Sequence, residues 1–306
     1  MGGNIAKSHI FDRVTATKPS QQQQQHHQVG DQQQVYIADF DMFSFDALPD
    51  DILETVLSFV PAKRLLTYRR VGKRWRDIID GQTLWRNKCE RDKVLTENWL
   101  RFLYCVHGDH EPINYRQLYF SSPYTRNLIK NPCAKEKLKY WQVRHNGGHG
   151  FTSERDHPGS HSITQYAPIK EDVPCWATSF ALCQKTQLVD LVAEGCSISV
   201  LDRLRPPIHI SEWHSARFDC GGVYSLNVQL LAADHTVIDK FDFEIDIPVR
   251  RIWEQVQHTF TGYPAGVRFV SFTHGGVDTS FWAGHYGPKF TLSTVKFGLP
   301  PEEQQN

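Results

Sequence analysis

Several things are missing from these 306 residues. No charge of one sign dominates: 34 Lys and Arg face 34 Asp and Glu, for a formal net charge of +0. A chain whose main work is neutralising phosphates carries a clear basic excess, so the balance argues against nucleic acid as a partner. No apolar run reaches the roughly 18 residues of a membrane-spanning helix, and no charged-then-apolar start resembles a secretory signal. The 7 cysteines are odd in number and include no C-x-x-C pair, which excludes a disulfide framework and a zinc ribbon. No H-E-x-x-H, G-x-S-x-G, P-loop or dinucleotide fingerprint occurs, so no catalytic residue and no cofactor is called for. His145-x3-His149 and His157-x3-His161 have ligand-like spacing, but lie in a Gly/Pro/Ser-rich stretch and are read as solvated loop, not metal site. The expectation is a soluble, reduced, cytoplasmic protein.

What is present divides along the chain. Hydrophobic residues make up 40% and aromatics 12%, with 8 tryptophans, enough for a real core. Residues 1–44 form a Gln-rich tail (Gln21–Gln25, Gln32–Gln34) expected to be disordered, because it has too little apolar surface to offset its ordering entropy. Residues 45–92 show helical periodicity, and 93–118 read as a helical linker carrying Trp99, Leu100, Leu103 and Tyr104. From 119 to 298 the pattern is short alternating runs broken by Gly, Pro, Asp and Asn, as in an all-β domain, followed by a tail over 299–306. Leu226, Val228 and Leu230 share one face of a strand; Phe241 to Ile245 alternates between core and solvent; Val267 to Phe272 is expected to end at a Gly275-Gly276 turn. Such strands at short spacing suggest a sandwich.

In the helical stretch Pro49 is tolerated at a first turn, and Asp50 and Asp51 suit the positive end of the helix dipole. Ile52, Leu53, Val56, Leu57 and Val60 then read as one apolar stripe stopped by Pro61. A second helix carries Leu65, Leu66, Val71, Trp75, Ile78 and Ile79, and Leu84-Trp85 opens a short third. A unit this small is near the limit of burying its own apolar surface, so the following domain or a partner should cover part of it. The basic residues from Lys63 to Arg76 surround their helix and read as a solvated face. From periodicity alone, Trp75 and the stripe are core of a hairpin packed on the β domain.

Leu48-Pro49, the Ile52/Leu53 and Val56/Leu57 pairs, Val60-Pro61, Leu65, Val71, Lys73-Arg74-Trp75 and Leu84-Trp85 together resemble an F-box over its full length. The resemblance implies docking onto the small adaptor protein of the SCF ubiquitin ligase, and through it the cullin scaffold. The implied contacts are Leu48, Pro49, Ile52, Leu53, Val56, Leu57 and Trp75. Downstream, Arg126 to Cys133, Tyr140-Trp141, Gln187 to Leu191, Gly266 to Val270, His274 to Asp278 and Phe281 to Pro288 occur in an order similar to the F-box-associated domain of the sugar-recognising F-box proteins. That implies a ten-stranded antiparallel β-sandwich of galactose-binding-like fold. It further implies a site for the inner chitobiose of N-glycans built from Trp176, Asp219, Phe281 and Trp282, all expected in loops. Aromatics in a β domain are usually core, and both Phe281 and Trp282 can face one ligand only if they are not extended. Ala283 stands where the family's characterised sugar binder has lysine, and His285 where most relatives have tryptophan.

For this mixed architecture, a small all-α module before an all-β sandwich, the resemblance implies a non-catalytic substrate receptor for misfolded N-glycosylated proteins in ER-associated degradation. Alternatives are a receptor whose sandwich reads a protein epitope, a free lectin or chaperone, and a glycosidase using Asp219 and Asp278. Met1-Gly2-Gly3-Asn4-Ile5-Ala6 half matches a myristoylation signal at Gly2, with Ala6 in place of Ser or Thr, against an ordinary disordered start. One acyl chain there would give only weak membrane association.

Overall fold

The computed structural model describes residues 45–107 and 112–299. The Gln-rich stretch over 1–44, with Gly2, and residues 300–306 of the tail lie outside the described residues. Contacts divide the chain after Ala47. The single 3-10 turn Phe45–Ala47 belongs to the first unit, and all that follows concerns the second.

Six helices come first: α1 (Asp50–Ser58), α2 (Ala62–Tyr68), α3 (Lys73–Asp80), α4 (Gln82–Arg91), α5 (Glu97–His107) and α6 (Tyr115–Ser121). The single helix expected over Leu65 to Ile79 is two. The chain turns at Arg69 to Val71 and passes through an extended Gly72 before α3 starts. The one stripe read on α1 is also two. At 100° per residue, Ile52 and Leu53 point to different sides. Leu53 and Leu57 are fully buried with Leu65, Ile79, Leu84 and Trp85, whereas Ile52, Val56 and Phe59 are exposed. The Trp85 indole donates to the Ile79 carbonyl at 2.7 Å. Lys88 is buried too, and its ammonium caps the end of α1 through the Ser58 and Val60 carbonyls (3.1 and 2.9 Å) while pairing with Asp92 at 3.1 Å. A cation there offsets the negative end of the helix dipole.

Ten strands follow: β1 (Gln142–Asn146), β2 (Thr152–Glu154), β3 (Cys175–Ala177), β4 (Cys183–Asp190), β5 (Ile208–Ser215), β6 (Gly222–Leu231), β7 (Val237–Ile247), β8 (Glu254–Phe260), β9 (Phe269–Asp278) and β10 (Lys289–Phe297). They form two five-stranded sheets, ordered β1-β4-β9-β6-β7 and β2-β3-β10-β5-β8, with every recorded pairing antiparallel. Leu226, Val228 and Leu230 fill the space between the sheets. No turn occurs at Gly275-Gly276, because β9 runs straight through both. The glycines are there for close approach: a Cβ on Gly275 would lie 2.3 Å from the Cys183 carbonyl oxygen, and one on Gly276 2.8 Å from that of Val223.

Helices and sandwich share one core. Trp99 of α5 stacks on Tyr124 with centroids 4.6 Å apart, and Tyr124 packs on Phe297 of β10. Thr125 bonds the Val94 carbonyl, and Arg203 bonds that of Val106 at the end of α5. The apolar surface that the small helical unit cannot cover alone is thus partly covered by its neighbour.

Candidate functional site

Two surfaces carry exposed apolar groups on built supports. The first is the outer side of α1 to α3. Ile52, Val56 and Phe59 fall at i, i+4 and i+7 and remain exposed; Leu66, Val71 and Pro49 are exposed nearby, and Leu48 and Trp75 are half-buried. Arg74 ties this corner together, bonding Asp50 at 2.7 Å and the Leu48 carbonyl, while Trp75 meets Tyr68 edge-on. Of the seven residues assigned to adaptor contact, five reach this side. Leu53 and Leu57 do not, since they hold the helices from inside.

The second surface is the end of the sandwich where the loops 217–221 and 279–288 meet. Asp278, at the end of β9, accepts from the backbone amides of Ser280 and Phe281, and this turn holds Phe281 at φ 54. The chain is therefore not extended there, and both Phe281 (76% exposed) and Trp282 (45%) stand out in solvent. Phe281 rests edge-on against Phe180, and Trp282 against Tyr286. The Ser179 hydroxyl donates to the Gly284 carbonyl at 2.6 Å, and the Thr279 amide donates to that of Gly221, so the neighbouring loops hold this one in place. Asp219 lies in the adjoining loop as a half-exposed carboxylate, gripped by Arg217 through two bonds of 2.8 and 3.0 Å. Those bonds hold its carboxyl below the usual carboxylate range. The same guanidinium lies 4.6 Å from the Tyr286 ring centre. Aromatic faces beside a fixed acceptor suit a ligand with an apolar side and hydroxyl donors.

Trp176 is not part of this surface. It sits in β3, 1% exposed, and its indole donates to the Lys137 carbonyl at 3.2 Å. Its ring and that of Trp141, set edge to face, form a corner that holds the Lys185 Nζ at 3.4 and 3.8 Å from their centres. Lys185 contacts His274, which meets Glu212 at 2.8 Å, and Tyr224 and Ser293 also donate to that carboxylate. Burial pushes the Lys185 ammonium well below its ordinary value and His274 down to about 4. The chain of groups ties the two sheets together, because Lys185, His274 and Tyr224 come from one and Glu212 and Ser293 from the other. Sequence reasoning missed it, along with Phe218 (49% exposed, under Arg251) and Tyr286 at the loop end. Asp278 accepts from the loop amides through Oδ1, and Asp219 is gripped by Arg217, so both carboxylates help to shape the loops. His157 is also not solvated: it is buried against Trp253 and bonds the Val173 carbonyl. Among the described residues no group of three or more His, Cys, Asp or Glu is placed to hold a metal ion.

Comparison with known families decides what these two surfaces belong to. Residues 45–91 match the F-box-like family, and residues 119–297, more than half the chain, match the F-box associated region. The chain belongs to the F-box proteins that carry this associated region. F-box only protein 6 of Homo sapiens is 41% identical over 82% of this chain and 83% of its own length. F-box only protein 44 of Homo sapiens is 38% identical over 84% of this chain and 98% of its own. F-box only protein 27 of Mus musculus is 42% identical over 83% and 91%. The outer side of α1 to α3 is thus a surface of the F-box, and the Phe281-Trp282 loop belongs to the associated region.

Proposed function

We propose that this F-box protein is the substrate-recognition subunit of an SCF-type ubiquitin-protein ligase. The F-box docks the adaptor with Pro49, Ile52 and Val56, flanked by Leu48 and Trp75, and the adaptor links the chain to the cullin scaffold. The sandwich end takes the inner chitobiose of N-glycosylated proteins for ubiquitination and ER-associated degradation in the cytoplasm. The observation that carries the glycan reading is the Phe281-Trp282 pair, presented to solvent by the Asp278 turn beside Asp219. The rings pack on the C–H face of the sugar and its acetamido methyl, and the free lone pairs of Asp219 accept a hydroxyl proton. The chain itself moves no bond. Its contribution is to raise the local concentration of a substrate lysine near a charged conjugating enzyme.

A glycan array with the full chain, alongside its Phe281→Ala and Trp282→Ala variants, tests this. Chitobiose-terminated glycans are expected to bind the parent chain and to be lost in both variants, with adaptor capture intact. A second reading, a protein epitope, is favoured by the exposed aromatics: Phe218, Phe281 and Trp282 stand out from the surface, and Ala283 offers no side-chain donor. Absence of any chitobiose signal, with a substrate polypeptide still captured through Phe281, would favour that reading.

A further inference from the structure

The sandwich has an open side between its two edge strands. β7 ends one sheet and β8 ends the other, and among the described residues neither has a partner strand beyond it. An open cleft of about 650 Å³ lies here, inside the roughly 300–1,000 Å³ range of small-molecule sites. It is separate from the Phe281-Trp282 loop, with which it shares no lining residue. Phe241, Phe243 and Ile245 of β7, which the alternation predicts as core, line it and are only half-buried. The Phe241 and Phe243 rings lie 8° from parallel with centroids 6.5 Å apart, and His258 covers one face of Phe241 at 4.4 Å, so the wall is aromatic and ordered by stacking. Trp213, Trp253 and Tyr166 add aromatic surface to the lining.

One polar group in this lining lacks what such groups ordinarily have. His214 of β5 is 2% exposed, stacked on Tyr224 at 4.7 Å, and its buried Nδ1 has no hydrogen-bond partner among the described residues. A buried imidazole nitrogen without a partner carries a desolvation cost, which a bound donor or acceptor removes. Burial also holds this histidine down to about 4, so the ring is neutral at physiological pH and can both donate and accept. Glu254 is the charged residue in the lining, and Arg250 already engages both of its oxygens. Gln255 and Gln257 contribute neutral polarity. A cleft without spare charge selects an uncharged ligand. A purely apolar ligand would leave His214 unpaired, and the acidic outer residues of β7 (Asp242, Glu244, Asp246) are the usual defence of an edge against an added strand. The chemistry left is that of a ring with one apolar face and several hydroxyls.

We propose that the cleft between β7 and β8 is a second ligand site, for a neutral saccharide, independent of the Phe281-Trp282 loop. The full chain carrying Phe281→Ala and Trp282→Ala isolates it, because any sugar bound there no longer depends on the loop. Ligand-observed NMR with N,N′-diacetylchitobiose, a linear α-mannotriose and an Asn-linked high-mannose glycopeptide reads the binding. At least one of these is expected to bind at millimolar concentration, and His214→Phe and Phe243→Leu each to weaken it about tenfold or more. Both replacements put an apolar side chain at the site, and a thermal melt confirms the fold. Tighter binding of the glycopeptide than of the free sugars assigns a glycoprotein source, and equal binding a free oligosaccharide. No saccharide signal at millimolar concentration, capture of an extended peptide alone, or saccharide binding unchanged in both folded cleft variants would overturn the proposal.

Discussion

Replacing Trp176 by alanine distinguishes a supporting residue from a contact residue. The side chain is among the largest fully buried ones, it bonds the Lys137 carbonyl, and it covers one face of the Lys185 ammonium. Its removal opens a cavity and strips a buried cation of an aromatic neighbour. A buried tryptophan cut to alanine costs about 3–5 kcal/mol. For a unit of this size that corresponds to a fall in Tm of roughly 6–20 °C, at about 2–4 °C per kcal/mol. Phe281 is 76% exposed, so the same truncation there is expected to move stability by less than about 0.5 kcal/mol. Urea unfolding and thermal melts of the two variants make the comparison, with adaptor capture and glycan capture measured on the same samples. Trp176→Ala is expected to lose stability and to weaken every binding function in proportion to the unfolded fraction, and Phe281→Ala to lose glycan alone. A Trp176→Ala chain that melts within 2 °C of the parent (about 1 kcal/mol) yet fails to bind glycan would refute the placement of this residue in the core.

On the F-box, Ile52→Asp and Val56→Asp are expected to abolish adaptor capture in size-exclusion chromatography with the melt unchanged, whereas Leu57→Ala costs about 2–5 kcal/mol and lowers Tm. Arg217→Gln frees Asp219, whose carboxyl then titrates at higher pH. The acid limb of glycan binding should move up accordingly, while Arg217→Lys retains the charge but not the two-bond grip. His214 is held near 4 when folded and is near 6.5 when unfolded, so the unfolded chain takes up the extra proton between those values. Its contribution is fully present above pH 6.5 and is lost as pH falls toward 4, by about 1.4 kcal/mol per unit, and His214→Phe should flatten that slope in urea titrations. Gly275→Ala is expected to destabilise the sandwich, since its Cβ would meet the backbone of β4.

How much of this was legible beforehand varies from residue to residue. The run over Val223 to Leu230 announced its strand because β6 has a neighbour on each side and a buried inner face. The alternation over Phe241 to Ile245 is that of β7, whose Phe241, Phe243 and Ile245 pack against the core; how deeply they are buried depends on whether a strand lies beyond β7, and a period of two carries no such information. The doubled stripe of α1 could be counted, but which half turns inward is fixed by Leu65, Ile79 and Trp85 on other helices. Trp176 was read as a loop residue because β3 is three residues long and follows a proline, too short for any periodicity to register. Lys185, Glu212 and His274 are scattered along the chain, and only the pairing of sheets brings them together. For the loop end, the requirement that Phe281 and Trp282 leave the extended conformation could be stated from sequence, but the Asp278 turn that meets it could not.

The stack from Trp99 through Tyr124 to Phe297 has a mechanical meaning. In the proposed role of ligase subunit the chain would act as a gantry: what it carries reaches the transfer point only if the arm keeps its angle under load. With helices and sandwich packed through one core, the offset from adaptor to cargo would be set by the folded chain itself. Which lysines of a captured protein fall within range would then depend on the shape of the cargo.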